Sequence, residues 1–257
     1  MDLIGKNHKS KGNVMKTKTA KFMVFLPLFV LGFALTAHAQ LTVGPLNPAT
    51  GFPQWYQDPT APAAQLEICL DQVLCEFTPP IQGNRFSQRI GFGKRAFFWN
   101  AQANIGQRAE MEMGIQTLFT GGVVRNGNQR VRNFIRIDLR NLPRQGTYRV
   151  VHPFGTETFN VVPDPVNGNL EVNFVRDVGG RNFSSALNGP VTRFLRSVNP
   201  PAGFLGNASV FTRVTGSPTN RNFFRLIGPA GVNLGGPPTQ RNVVTTNQFK
   251  IMGQVFQ

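Results

Sequence analysis

"VRNFIRIDLR", residues 131–140, decides the fold class. Val131, Ile135, Ile137 and Leu139 alternate with Arg132, Arg136, Asp138 and Arg140, a period of two that sets one face on an apolar layer and the other in water. The same rhythm runs on both sides of it. Phe97, Trp99, Ala101, Ala103 and Ile105 alternate with Asn100, Gln102 and Asn104. Met111, Met113, Ile115 and Phe119 alternate with Glu110, Glu112 and Gln116, and Leu170, Val172 and Phe174 with Glu171 and Asn173. No window shows a helical period of comparable length. With 27 glycines and 19 prolines as punctuation, the chain is expected to be all-β: an antiparallel β-sandwich, immunoglobulin-like in part.

A hairpin follows in "RQGTYRVVHPFGTETFNVV", residues 144–162. Pro153 pushes His152 into extended backbone, and Pro153 and Gly155 occupy positions that a tight turn favours. The Gly-Thr-Tyr-x-Val pattern also occurs in penultimate strands of immunoglobulin-like sandwiches, where the tyrosine packs inward and its hydroxyl caps a corner. Tyr148 is therefore expected to be buried. "DVGGRNFSSALNGP", residues 177–190, is polar and glycine-bearing and suggests a boundary. Two packed β subdomains, 40–178 and 179–257, are expected, with one enlarged sandwich as the alternative. Later strands are expected over 210–214, 222–227 and 248–256, and "GGPPTQRN", 235–242, as a loop.

Residues 1–39 carry an export signal, with Met15 as an alternative true start. Lys16, Lys18 and Lys21 precede an apolar run from Phe22 to Leu35, and Ala37-His38-Ala39 is a small-x-small cleavage site. The run is short for a membrane span and contains Pro27, so cleavage after Ala39 and a secreted, periplasmic or extracellular product are expected. No transmembrane segment is expected after it. The remaining chain has 21 basic and 11 acidic residues, a net charge of +10, and 19 of the basic residues are arginine. Cys69 and Cys75 are the only cysteines, and so close a pair in an exported protein is expected to form a disulfide. Their spacing, with no second cysteine or histidine group, gives no metal site, and no cofactor is implied.

Several stretches carry a resemblance: "GPLNPATGFPQWYQD", "LEICLDQVLC", "AFFWNAQA", "GTYRVVHPFGTETF", "VTGSPTNRNFFRLIGP" and "TNQFKIMGQVF". In this order they are similar to blocks in a group of secreted, β-rich bacterial proteins that bear a signal peptide. The resemblance spans nearly the whole chain after the leader and implies an extracellular or cell-surface location. It implies no activity and no site residue.

The chemistry-bearing residues point away from catalysis. A Ser-His-Asp or Cys-His mechanism needs an imidazole, and after the leader only His152 remains. At a hairpin corner it is expected to be structural, and its replacement to leave stability nearly unchanged. Glycoside hydrolysis needs two carboxylates across a cleft; Glu110 and Glu112 share one strand face two residues apart, and a carboxylate-dependent glycan hydrolase stands as the alternative reading. Arg130, Arg132, Arg136 and Arg140 lie on one strand face with a two-residue step of about 7 Å. Such a face would attract acidic polysaccharide or another polyanion; a solvated face paired with Glu110 and Glu112 is the alternative. No motif for reading nucleic-acid sequence is present. Trp55-Tyr56 is the candidate glycan platform, or else a lid over a sandwich edge. The expected function is an exported, non-enzymatic β-sandwich module that mediates cell-surface or matrix interaction.

Overall fold

The computed structural model describes residues 40–60 and 62–257; the expected signal peptide and its expected cleavage after Ala39 lie outside the described residues. In chain order come β1 (Thr42–Val43), β2 (Tyr56–Asp58), β3 (Ala64–Glu67), α1 (Arg85–Ile90), β4 (Ala96–Ile105), β5 (Ala109–Phe119) and β6 (Gln129–Leu139). They are followed by β7 (Gly146–His152), β8 (Gly155–Val161), β9 (Val172–Gly180), β10 (Arg196–Ser197) and β11 (Thr212–Thr215). The last are β12 (Phe224–Ile227), β13 (Val243–Thr246), β14 (Gln248–Met252) and β15 (Gln254–Val255). The fold is all-β, with antiparallel sheets packed together.

The strands form a seven-stranded sheet in the order β10-β11-β14-β4-β5-β6-β9 and two four-stranded sheets, β1-β2-β3-β15 and β13-β12-β7-β8. One apolar cluster joins all three. The large sheet supplies Ala101, Met111, Met113, Ile115, Val131, Ile135 and Ile137; the small sheets supply Tyr56, Leu66, Tyr148, Val150, Phe224 and Leu226. Trp99 is fully buried there, stacks on Phe194 at 5.7 Å, and its indole N–H donates to the carbonyl of Leu195. Asn133 interrupts the apolar series on β6 without leaving polar groups unpaired: its amide donates to the carbonyls of Ala186 and Val191, and its oxygen accepts from the Val191 N–H.

The alternation holds with one phase change. A bulge between Phe97 and Trp99 shifts the β4–β5 register, which turns Phe98 and Trp99 into the main cluster and Phe97 to the opposite face of the sheet. There Phe97 joins Cys69, Phe134 and Met252 in a second, smaller cluster. The expectation that Phe97 and Trp99 share a face is corrected accordingly. Cys69 and Cys75 form a disulfide in this second cluster. Replacing both with serine is expected to lower unfolding stability by about 2 kcal/mol, the chain-entropy value for so short a loop, as measured by denaturant titration.

The hairpin of residues 144–162 forms as read, with His152 opposite Gly155 across the turn. Tyr148 is buried, and its hydroxyl donates to the Arg144 carbonyl at 2.7 Å. The division at 178/179 does not appear. β9 runs through it, β10, β11 and β14 extend the sheet begun by β4, and β12 and β13 extend the sheet begun by β7. The described residues fall in a single unit. The polar, glycine-bearing stretch instead ends an edge strand and turns into a short 3-10 segment, Phe183–Asn188.

Candidate functional site

The arginine series on β6 is on one face of the large sheet, as its alternation requires, but it is not a bare cationic face. Arg136 contacts Asp138 at 3.1 Å, Glu112 at 3.4 Å and Glu110 at 3.7 Å. Arg140 contacts Asp138 and Glu110, and Arg132 contacts Asp177 at 3.7 Å while lying over the Phe134 ring. Three arginines thus meet four carboxylates, and the potential that would draw a polyanion is cancelled locally. The cause is the cross-strand register, which sets Glu112 directly opposite Arg136 and Glu110 opposite Asp138. Arg132, Arg136 and Arg140 are thus members of an ion network rather than a row of free cations, the paired face that stood as the alternative. Of the four, Arg130 alone has no ion pair among the described residues. Glu110 and Glu112 are held by the same network and face Arg136 together.

The glycan platform is corrected. Tyr56 is fully buried: its hydroxyl donates to the Phe183 carbonyl at 2.8 Å, and its ring meets Phe98 edge-on at 4.9 Å. Trp55 is half-buried, its indole lying where any side chain at position 44 would have to sit, so Gly44 is the residue that admits it. The pair covers the sandwich.

His152 is structural but not peripheral. It is fully buried, because β7 carries it to the inner face, in phase with Tyr148 and Val150. Its Nδ1 accepts from the Phe154 N–H at 3.3 Å, which leaves the proton of the neutral ring on Nε2. Nε2 has no hydrogen-bond partner; the Glu157 carboxylate is 3.8 Å away and is itself engaged by Arg176 at 3.2 Å. Burial, reinforced by the positive charges of Arg176 and Arg221, pushes the imidazole pKa down to about 4. It is a neutral, walled-in ring.

What the sheets do assemble is a cleft with flanking cations. The β4–β5 turn, with Ile105, Gly106 and Arg108, faces the segment from Leu234 to Thr246. Between them lie two adjoining depressions of about 610 and 440 Å³ that share Ile105, Gly106, Gly235 and Val244. Arg225 lines the first and Arg108 the second, and no carboxylate lines either. One Nη of Arg108 donates to the Leu234 carbonyl, while its buried Nε has no partner. Beside the cleft is the outer face of the β13-β12-β7-β8 sheet. Register aligns Thr245, Arg225, Val151 and Thr156 in one row and Val243, Ile227, Arg149 and Thr158 in the next. Arg225 donates to Thr245 and Arg221 to Thr156. None of Arg149, Arg221 and Arg225 has an ion pair among the described residues.

No protein-family model, curated protein or solved structure matches this chain.

Among the described residues, no three His, Cys, Asp or Glu side chains gather as metal ligands, and no helix is long and apolar enough to cross a membrane. The residues that sequence reasoning passed over are Arg108, Arg221 and Arg225. A signal for two of them was present: after Asp177 the chain contains no Asp or Glu at all, yet it has seven arginines and a lysine. This carboxylate-free segment builds β10 to β15, the flank that holds the cleft's outer wall.

Proposed function

We propose that this is an exported, non-enzymatic β-sandwich module that holds acidic polysaccharide at a cell surface or in an extracellular matrix. The ligand binds along the carboxylate-free flank rather than the β6 face. One observation carries this reading: Arg225 and Arg108 border a cleft that no Asp or Glu lines, and its outer wall is built by a segment without any Asp or Glu after Asp177. A linear polyanion gains from such a surface by releasing its condensed counterions. Threonines and arginine forks offer hydrogen bonds to sulfate or carboxylate groups. Export is supported by the leader sequence and by a disulfide of the kind that persists in oxidising compartments.

The test uses heparin as the probe. Replacing Arg149, Arg221 and Arg225 together with serine is expected to reduce the slope of log K against log salt by about 2, at roughly 0.7 per contact on a single-stranded polyanion. Unchanged heparin elution of that variant would remove the flank from consideration.

A further inference from the structure

We propose that the protein carries a second anion-binding surface at the far end of β5 and thereby bridges two acidic polymer chains. This rests on the acidic-polymer reading above but draws on a different set of residues. β5 spans 11 residues, or roughly 33 Å at about 3.3 Å per step. The cleft lies at its Ala109 end. At its Phe119 end, the connection to β6 carries Arg125, and Arg130 follows in β6.

Two other elements converge on that connection. The Asn84 amide, at the N-cap of α1, donates to the Val124 carbonyl at 2.8 Å and holds Arg85 and Arg89 nearby. α1 is seated there by Phe86, whose ring meets Phe119 edge-on at 6.2 Å, and Arg89 lies over the Phe86 ring. From beyond β9, the Arg181 guanidinium donates to the Gly127 carbonyl at 2.6 Å. Arg85, Arg89, Arg125 and Arg181 are exposed and Arg130 is half-buried. None of the five has an ion pair among the described residues. No Asp or Glu occurs between Phe77 and Ala109 or between Met113 and Ile137. The carboxylates flanking the contributing segments, Glu76 and Asp177, are engaged by Arg95 and Arg132.

Arg85, Arg89, Arg125 and Arg181 are brought to this end of the sheet by three separate elements, and an anion bound among them relieves their mutual repulsion. The two basic surfaces are several Debye lengths apart at about 8 Å each, so they attract anions independently. A short anionic segment occupies one surface, and a second segment occupies the other. The molecule is then a cross-link.

The experiment captures the protein on beads bearing a short heparin oligosaccharide, washes them, and adds the same oligosaccharide with a fluorophore. The wild-type protein is expected to retain the fluorophore. The variant Arg85→Ser/Arg89→Ser/Arg125→Ser/Arg181→Ser is expected to be captured within about threefold of wild type but to retain about tenfold less fluorophore. The charge-preserving set, with lysine at the same four positions, is expected to restore retention, which separates lost charge from lost structure. Capture of wild type without fluorophore retention, or equal retention by the serine variant, would overturn the bridge and leave the flank reading standing. Absence of wild-type capture would overturn both.

Discussion

Between pH 7 and pH 4 the wild-type protein is expected to lose about 3 kcal/mol of stability through His152 alone. In the unfolded chain the imidazole takes up a proton near its ordinary pKa of 6.5, whereas in the fold it does so only at about 4. Between those values the unfolded state binds more protons, so acid favours unfolding. The contribution is fully present above pH 6.5 and is lost as the pH falls to 4. The groups around the ring explain why no rescue is available. Arg176 and Arg221 oppose a positive imidazole, and the Glu157 carboxylate that faces Nε2 is already held by Arg176. His152→Asn isolates the effect from that of the carboxylates. At pH 7 the variant is expected to be about 1 kcal/mol less stable than wild type, because a buried ring is lost. By pH 4 the order reverses and the variant is more stable by about 2 kcal/mol. Urea titrations at both pH values measure this double difference, and parallel curves for the two proteins would refute it. The expectation that His152 can be replaced without consequence does not survive its burial.

Arg136→Ala is expected to cost about 3 kcal/mol, the low end for stripping the partner from buried charges. Glu112 and Asp138 have side chains only 8% and 7% exposed, and Arg136 reaches both. The low end applies because Arg136 is itself 37% exposed and Arg140 remains within 3.6 Å of Asp138. Heparin binding by this variant should be unchanged while the protein is folded. The flank variant should do the reverse, binding heparin with a shallower salt dependence and keeping its unfolding midpoint. If Arg136→Ala left stability intact and weakened heparin binding, the ion network would be the ligand site after all.

The long strands were legible because alternation is a local property of the chain. β4, β5 and β6 lie where their side chains place them, and the turn at Pro153 and Gly155 follows from backbone preference alone. Tyr148 was legible from its Gly-Thr-Tyr-x-Val setting, a local pattern too. Short elements were not: β1, β2 and β13 have four residues or fewer, too few for a period, and α1 is a single six-residue helix fixed by its Asn84 and Gly91 caps. The bulge at Phe97 was hidden because an extra residue leaves no mark on composition. The arginines on β6 show how far a single strand can mislead. Their common face was visible in the sequence, but the carboxylates opposite depend on the pairing of β5 with β6. Tyr56 was misplaced because its ring is covered by Phe98 and its hydroxyl by the segment at Phe183, 127 residues away.

β14 lies between β11 and β4 inside the large sheet, and β15 pairs with β3 at the start of the described chain. β3 and β4 therefore each acquire one of their neighbours only from the last strands of the chain. A growing polypeptide cannot complete the large sheet before Met252 or the β1-β2-β3-β15 sheet before Val255, and pairings across so much intervening chain form slowly.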